Sequence, residues 1–180
     1  LTDQVTHSIS IFDAPMADFT HDNDVCHGVP VQFTSSTSVA VESYLWEFGD
    51  GDTSSLQDPQ HIYQSGGDYT VTLTVTDIVG CSDIVQKIVN INEPNANFIF
   101  TPASPIPGDT VFFTDQSTSS SSYIIQWIWY FGDGDSTIVD YPDNPDVWHI
   151  YSDSGNYNVS LHVMDNDGCW GTAIDNILVF

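Results

Sequence analysis

The chain has 180 residues, enough for one or two domains, and 41% of them are apolar, so wholesale disorder is excluded. One cation, Lys87, faces 25 carboxylates for a formal net charge of −24. This excludes nucleic acid and anionic lipid as partners, since both are gripped through Lys and Arg. No stretch approaches the roughly 20 apolar residues of a membrane span, so direct membrane insertion is not expected either. The opening LTDQVTHSIS, with no basic head and no apolar core, does not read as a signal peptide. Divalent cations, basic partners and neutral ligands such as sugars are what such an acidic surface still attracts.

Along the chain, apolar residues recur at every second position, the period of a strand with one buried face. Val5, Ile9 and Ile11 alternate with Thr6, Ser8 and Ser10. Ala17-Asp18-Phe19 and Val31-Gln32-Phe33-Thr34 follow. Tyr44, Trp46 and Phe48 alternate into the turn signal Gly49-Asp50-Gly51, then His61 and Tyr63 precede a long run in which Tyr69, Val71, Leu73 and Val75 alternate with threonines. After Gly80-Cys81 a last strand ends near Ile91, and Asn92-Glu93-Pro94-Asn95 forms a short linker that Pro stiffens.

The same series then returns. Ala96-Asn97-Phe98, Val111-Phe112-Phe113-Thr114, the run Trp127, Trp129, Phe131 with Gly132-Asp133-Gly134, His149 and Tyr151, and Tyr157, Val159, Leu161, Val163 before Gly168-Cys169 match the first series in order. Insertions fall between strands, as in the serine-rich loop 117–122. Thr2–Ile11 lines up with Ser82–Ile91. The expected architecture is all-β: two tandem immunoglobulin-like β-sandwiches at 14–93 and 94–180, with 1–13 as the last strand of a preceding repeat. The chain then reads as a window on a longer array.

These residues resemble a known family. Trp46-Glu47-Phe48-Gly49-Asp50-Gly51 with His61-Ile62-Tyr63, and Trp129-Tyr130-Phe131-Gly132-Asp133-Gly134 with His149-Ile150-Tyr151, are similar to the motifs of the PKD (polycystic kidney disease) domain. Cys26 and Gly80-Cys81 resemble the variant found in secreted and surface proteins of Bacteroidota-type bacteria, which implies an extracellular, secreted or cell-surface location. Where the family often has Asp after the Trp, this chain has Glu47 and Tyr130. Some PKD domains resemble calcium modules, which implies a candidate metal set of Asp22, Asp24 and Glu47 in the first repeat and none in the second. No cofactor is expected; calcium is the one candidate. The pairs Asp50/Asp52, Asp133/Asp135 and Asp165/Asp167 offer further hard oxygens, although none sits in an EF-hand loop.

The remaining motifs divide into structural and contact roles. Asp50-Gly51 and Asp133-Gly134 read as hairpin turns, and His61 and His149 as hydrogen-bonding packing residues, since each recurs without a nucleophile motif. Cys26 and Cys81 occupy one repeat and flank its strands, so they are expected to form a disulfide; the loop of about 55 residues is worth roughly 4 kcal/mol. Cys169 is then an orphan, buried as a small apolar residue. Alternation turns Trp46 and Trp129 inward, but Phe112, Ile128 and Tyr130 outward, and Trp148 and Trp170 lack a polar counterweight. These five are the candidate ligand contacts of the second repeat, able to stack on a sugar, although packing against the neighbouring repeat is the favoured reading. No enzyme is expected. The reading is a spacer or stalk segment of an adhesin-like surface protein, whose partners are neighbouring repeats, other surface proteins or polysaccharide. The alternative is a carbohydrate- or protein-binding accessory module of a secreted hydrolase.

Overall fold

The computed structural model describes residues 14–38, 40–119 and 123–180. The strand expected at 1–13, and Ser120–Ser122 of the serine-rich loop, lie outside the described residues. The described residues form strands and no helix, so none of them belongs to a helix long and apolar enough to cross a membrane.

The first series of strands is β1 (Ala17–His21), β2 (Val25–Cys26), β3 (Pro30–Thr37), β4 (Val41–Glu47), β5 (Thr53–Ser54), β6 (Gln60–Ile62), β7 (Gly67–Asp77) and β8 (Ser82–Asn92). They pair as a three-stranded sheet, β1-β3-β6, and a five-stranded sheet, β2-β8-β7-β4-β5. The second series is β9 (Phe98–Thr101), β10 (Thr110–Asp115), β11 (Ile124–Tyr130), β12 (Ser136–Asp140), β13 (Val147–Ile150), β14 (Gly155–Asp165) and β15 (Trp170–Val179). Its sheets are β13-β10-β9 and β12-β11-β14-β15. Each repeat is thus an immunoglobulin-like sandwich, as its alternation demands. Val71, Leu73 and Val75 in β7, and Val159, Leu161 and Val163 in β14, are fully buried, while the residues between them are not. A register shift falls at Val41/Ser43 in β4 and again at Ile124/Gln126 in β11, so even the bulge is repeated.

By proximity the described chain gathers into two compact units. One holds the residues up to Asn23, Pro30–His61 and Tyr69–Val89. Its core centres on Trp46, whose ring lies 5.1 Å from Phe19 and 5.5 Å from Phe33, with Phe48 5.3 Å from Phe33. The indole Nε1–H donates to the Leu56 carbonyl at 2.9 Å, so burial strands no polar group. Lys87 lies against the same unit, with Nζ 2.7 Å from Asp18 Oδ1 and 5.0 Å above the Phe19 ring, and it donates to the Phe19 carbonyl. The Lys87 hydrogen bond, then the Phe19 N–H, hold the Asp18 carboxyl below its ordinary value.

The other unit holds Asp24–Val29, Ile62–Asp68 and Asn90–Phe180. Its core repeats the plan: Trp129 lies 5.3 Å from Phe98 and 5.7 Å from Phe113, Phe131 lies 5.4 Å from Phe113, and Trp129 Nε1–H donates to the Pro145 carbonyl at 3.1 Å.

The expected Cys26–Cys81 disulfide is not formed. Cys26 is bonded to Cys169, and Cys81 is free and exposed. The reason lies in β8. Cys81 precedes its first residue, whereas β2 pairs parallel with its end, setting Cys26 opposite Asn92. Eleven residues of strand separate the two ends, roughly 36 Å at 3.3 Å per residue, where a disulfide needs Cα atoms within about 7 Å. Cys26 and Cys169 lie 5.2 Å apart by that measure. Cys169 is fully buried, as the orphan reading required, but it is not an orphan. Both bonded cysteines belong to the second compact unit.

Candidate functional site

The Trp-x-Phe-Gly-Asp-Gly motif closes β4 and β11 with the same turn. The Phe48 N–H donates to the Asp52 carbonyl at 3.1 Å, and the Phe131 N–H to that of Asp135 at 3.1 Å. The first glycine of each turn has positive φ, +90° at Gly49 and +86° at Gly132. It also lies against a neighbouring strand, so that an added Cβ would stand 2.8 Å from the Thr70 carbonyl oxygen or 2.7 Å from the Asn158 amide nitrogen. Glycine is required twice over, by conformation and by room.

The aspartate that follows uses both oxygens. Oδ1 of Asp50 accepts the Asp52 N–H at 3.1 Å, and Oδ1 of Asp133 accepts that of Asp135 at 3.0 Å. Oδ2 meets His61 Nε2 in one repeat and His149 Nε2 in the other, at 2.6 Å in both. Each imidazole stacks flat on the motif phenylalanine, at 4.1 Å on Phe48 and 4.2 Å on Phe131. Burial alone would raise the Asp50 and Asp133 carboxyls. The histidine hydrogen bond and the turn N–H outweigh it, and both acids sit below their ordinary value of 3.8. In the second repeat the Tyr151 hydroxyl donates to the Phe131 carbonyl at 3.0 Å; burial, then the Asp133 charge, push that phenol up. Tyr63 is likewise fully buried. Chemically the assembly is a latch: one carboxylate ties the turn to itself and to the strand carrying the histidine.

Among the described residues, the calcium candidates Asp22, Asp24 and Glu47 are not one of the groups whose ligand atoms converge. Asp22 Oδ2 accepts the Gln32 N–H at 3.0 Å, Asp24 takes a left-handed conformation at φ 56°, and Glu47 is exposed on β4. Among the described residues the acidic and imidazole groups that do converge, within 4.8 Å of one another, are Asp50, Asp52 and His61, and Asp133, Asp135 and His149. These are the latch residues. Sequence spacing could have pointed to them, because the histidine recurs with the turn, but it could not say which acid the imidazole would meet.

The five aromatic and aliphatic contact candidates are all placed away from the core but fall on two sheets. Ile128 and Tyr130 lie on β11 and Trp170 opens β15; Tyr130 and Trp170 are exposed, Ile128 half-buried, and the Tyr130 ring meets His162 edge-on at 5.4 Å. Phe112 and Trp148 lie on the other sheet, directly opposite each other in the β10–β13 ladder. The same ladders set Ile150 opposite Thr110 and Ile99 opposite Thr114. One face of the small sheet therefore presents Ile99, Phe112, Trp148 and Ile150, with Phe112 52% and Trp148 63% exposed. In the first repeat the positions of Phe112 and Trp148 are taken by Gln32 and Gln60. Beside Trp148, a recess of about 460 Å³ is lined by Asp135, Ser136, Asp146 and His149. A second recess, of about 570 Å³, carries Tyr123 and Tyr141 with rings 5.6 Å apart, next to Asp115 and Trp127. Sequence reading passed over these two tyrosines because they lie outside the matched positions of the repeats.

A family model described as "PKD domain" matches residues 12–92 and 91–179. The pre-pro-metalloprotease PrtV of Vibrio cholerae is 35% identical over 144 residues, covering 76% of this chain and 14% of that protein. Collagenase ColA of Bacillus cereus is 38% identical over 79 residues, which is 43% of this chain and 8% of the collagenase. This chain is thus similar to a small part of each. A solved PKD1 domain from the Vibrio cholerae metalloprotease PrtV is 36% identical, with a TM-score of 0.40, over 44% of this chain and 98% of that domain. Relatives from Vibrio and Bacillus lend no support to a Bacteroidota source. The two matches together take in nearly all the residues, and the chain belongs to the PKD domain family.

Proposed function

We propose that this chain is a non-catalytic accessory segment of a larger extracellular hydrolase, and that the β9-β10-β13 face of the second repeat binds a protein polymer. The observation that carries the reading is the exposed face of Ile99, Phe112, Trp148 and Ile150, which has glutamines at its two aromatic positions in the first repeat. A flat sheet presenting aromatic side chains gains most of its contact energy from a few such anchors. Relatives named as a metalloprotease and a collagenase favour a protein substrate over a polysaccharide. A formal charge of −24 favours a neutral or basic one. An oxidising location agrees with the disulfide. The first repeat, with glutamines at the two matching aromatic positions, serves as spacer. An adhesin-like parent draws no specific support from these relatives, and calcium binding rests only on the resemblance within the first repeat.

The test is depletion from solution by insoluble fibrillar collagen, with cellulose and chitin in parallel. Saturable retention on collagen is expected. Retention on polysaccharide alone would replace the protein polymer with a sugar one, and retention on neither would reduce the segment to a spacer.

A further inference from the structure

We propose that Cys81 is a second disulfide site, whose partner is a cysteine of a further PKD-type repeat standing to the first repeat as Cys26 stands to the second. The argument starts from the two turns that carry Cys81 and Cys169. In the first, the Asp77 Oδ1 accepts the N–H groups of Val79 and Cys81, each at 2.9 Å. In the second, the Asp165 Oδ1 accepts those of Asp167 and Cys169, at 3.0 and 2.9 Å. The Asp77 N–H donates to the Cys81 carbonyl at 2.9 Å, and that of Asp165 to Cys169 at 3.0 Å. The Gly80 N–H donates back to Asp77 at 3.1 Å, and that of Gly168 to Asp165 at 3.0 Å. Gly80 and Gly168 have φ of +87° and +84°. Two turns with the same bonds present their cysteines in the same way, and one of them is bonded to the β2 cysteine of the preceding family match.

What differs is occupancy. Cys169 is fully buried in its disulfide, whereas Cys81 is exposed. Beside Cys81 stand Ile78 and Val79, 75% and 49% exposed, where the second turn has Asn166 and Asp167. A loop bonded at Cys81 would cover both, so its contacts there would be more apolar than those around Cys169. The first repeat thus carries the acceptor cysteine and, in Cys26, a donor; the second carries only the acceptor.

Bond formation balances by exchange with a low-molecular-weight disulfide such as oxidised glutathione. The Cys81 thiolate attacks one sulfur of it, forming a mixed disulfide and releasing one thiol. The partner cysteine's thiolate then attacks the Cys81 sulfur and expels the second thiol. Two protein thiols are oxidised, and one small disulfide is reduced to two thiols.

The experiment extends the full chain at Leu1 with a second copy of residues 14–80, supplying one additional Cys26-type cysteine. Both proteins are oxidised in a glutathione buffer, and free thiols and linked peptides are read by mass spectrometry without reductant. The natural chain should show one thiol, or one bound glutathione, at Cys81. In the extended chain that thiol should vanish, and the added copy of Cys26 should be linked to Cys81 while Cys26–Cys169 persists. Cys81 left free, or linked to any other cysteine, would overturn the proposal. If the extended chain does not melt cooperatively, duplicating 14–93 ahead of Pro15 gives a second design. There the native Cys81 should again be linked to the added Cys26 and only the added Cys81 should stay free; a free native Cys81 would again overturn the proposal.

Discussion

Replacing Gly132 and Gly134 by Ala, one at a time, separates the two reasons for the glycines of the turn. Both have positive φ, +86° and +106°. An alanine Cβ at Gly134 meets no atom within 4 Å, so Gly134→Ala carries only the conformational cost, about 1–2 kcal/mol. At Gly132 the same Cβ falls 2.7 Å from the amide nitrogen and carbonyl oxygen of Asn158. Both are backbone atoms in the middle of β14, and no rotamer change moves them. Overpacking of this kind adds about 1–3 kcal/mol, which brings Gly132→Ala to about 2–5 kcal/mol. Urea unfolding, followed by the fluorescence of the buried tryptophans, should show a lower midpoint for both variants and the larger drop for Gly132→Ala. Gly49→Ala and Gly51→Ala repeat the comparison in the first repeat, where the Thr70 carbonyl oxygen stands 2.8 Å away and Gly51 again has open space. Equal losses within each pair would refute the close approach as the reason for the first glycine.

Cys169→Ser should free Cys26 and lower stability by up to about 5 kcal/mol in the chain-entropy model, because the bond spans 143 residues; Cys81→Ser should leave the melting temperature in place, and the reverse pattern would restore the Cys26–Cys81 pairing. Acid should act through the latch. The Asp50 and Asp133 carboxyls titrate below 3.8 in the folded protein. Their contribution is therefore complete above that ordinary value and is lost as pH falls through the lowered one. The stability gap between the wild type and the Asp50→Asn/Asp133→Asn variant should be constant near neutrality and close below pH 3.8. A gap that already closes near neutrality would refute the carboxylates as the titrating groups.

Alternation made much of the fold legible. It turned Val71, Leu73 and Val75 inward, and it set Trp46 and Trp129 in the cores. It also sent Phe112, Ile128 and Tyr130 outward, where Phe112 and Tyr130 are exposed and Ile128 is half-buried. Alternation says nothing of which sheet a strand joins, and this is why five contact candidates read as one surface divide between two sheets. The disulfide failed for a related reason. Cys26 and Cys81 are close to the strands of one repeat in sequence, yet the parallel pairing of two-residue β2 with the end of β8 sets them at opposite ends of one long strand. The latch was half visible: a histidine recurring with each turn signalled packing, while its bond to the turn aspartate depends on β6 and β13 lying beside the turns.

The proposed role rests on one face, and its most direct test is the Phe112→Ala/Trp148→Ala variant in a binding isotherm on fibrillar collagen. Both side chains are more than half exposed, so the melting temperature should hold and only contact should be lost. With two anchors removed, affinity should fall by roughly tenfold or more. The Tyr130→Ala/Trp170→Ala variant, altered on the other sheet, should bind as the wild type does. Unchanged affinity in the first variant, with the loss appearing in the second, would contradict the account and move the contact surface to the β12-β11-β14-β15 sheet.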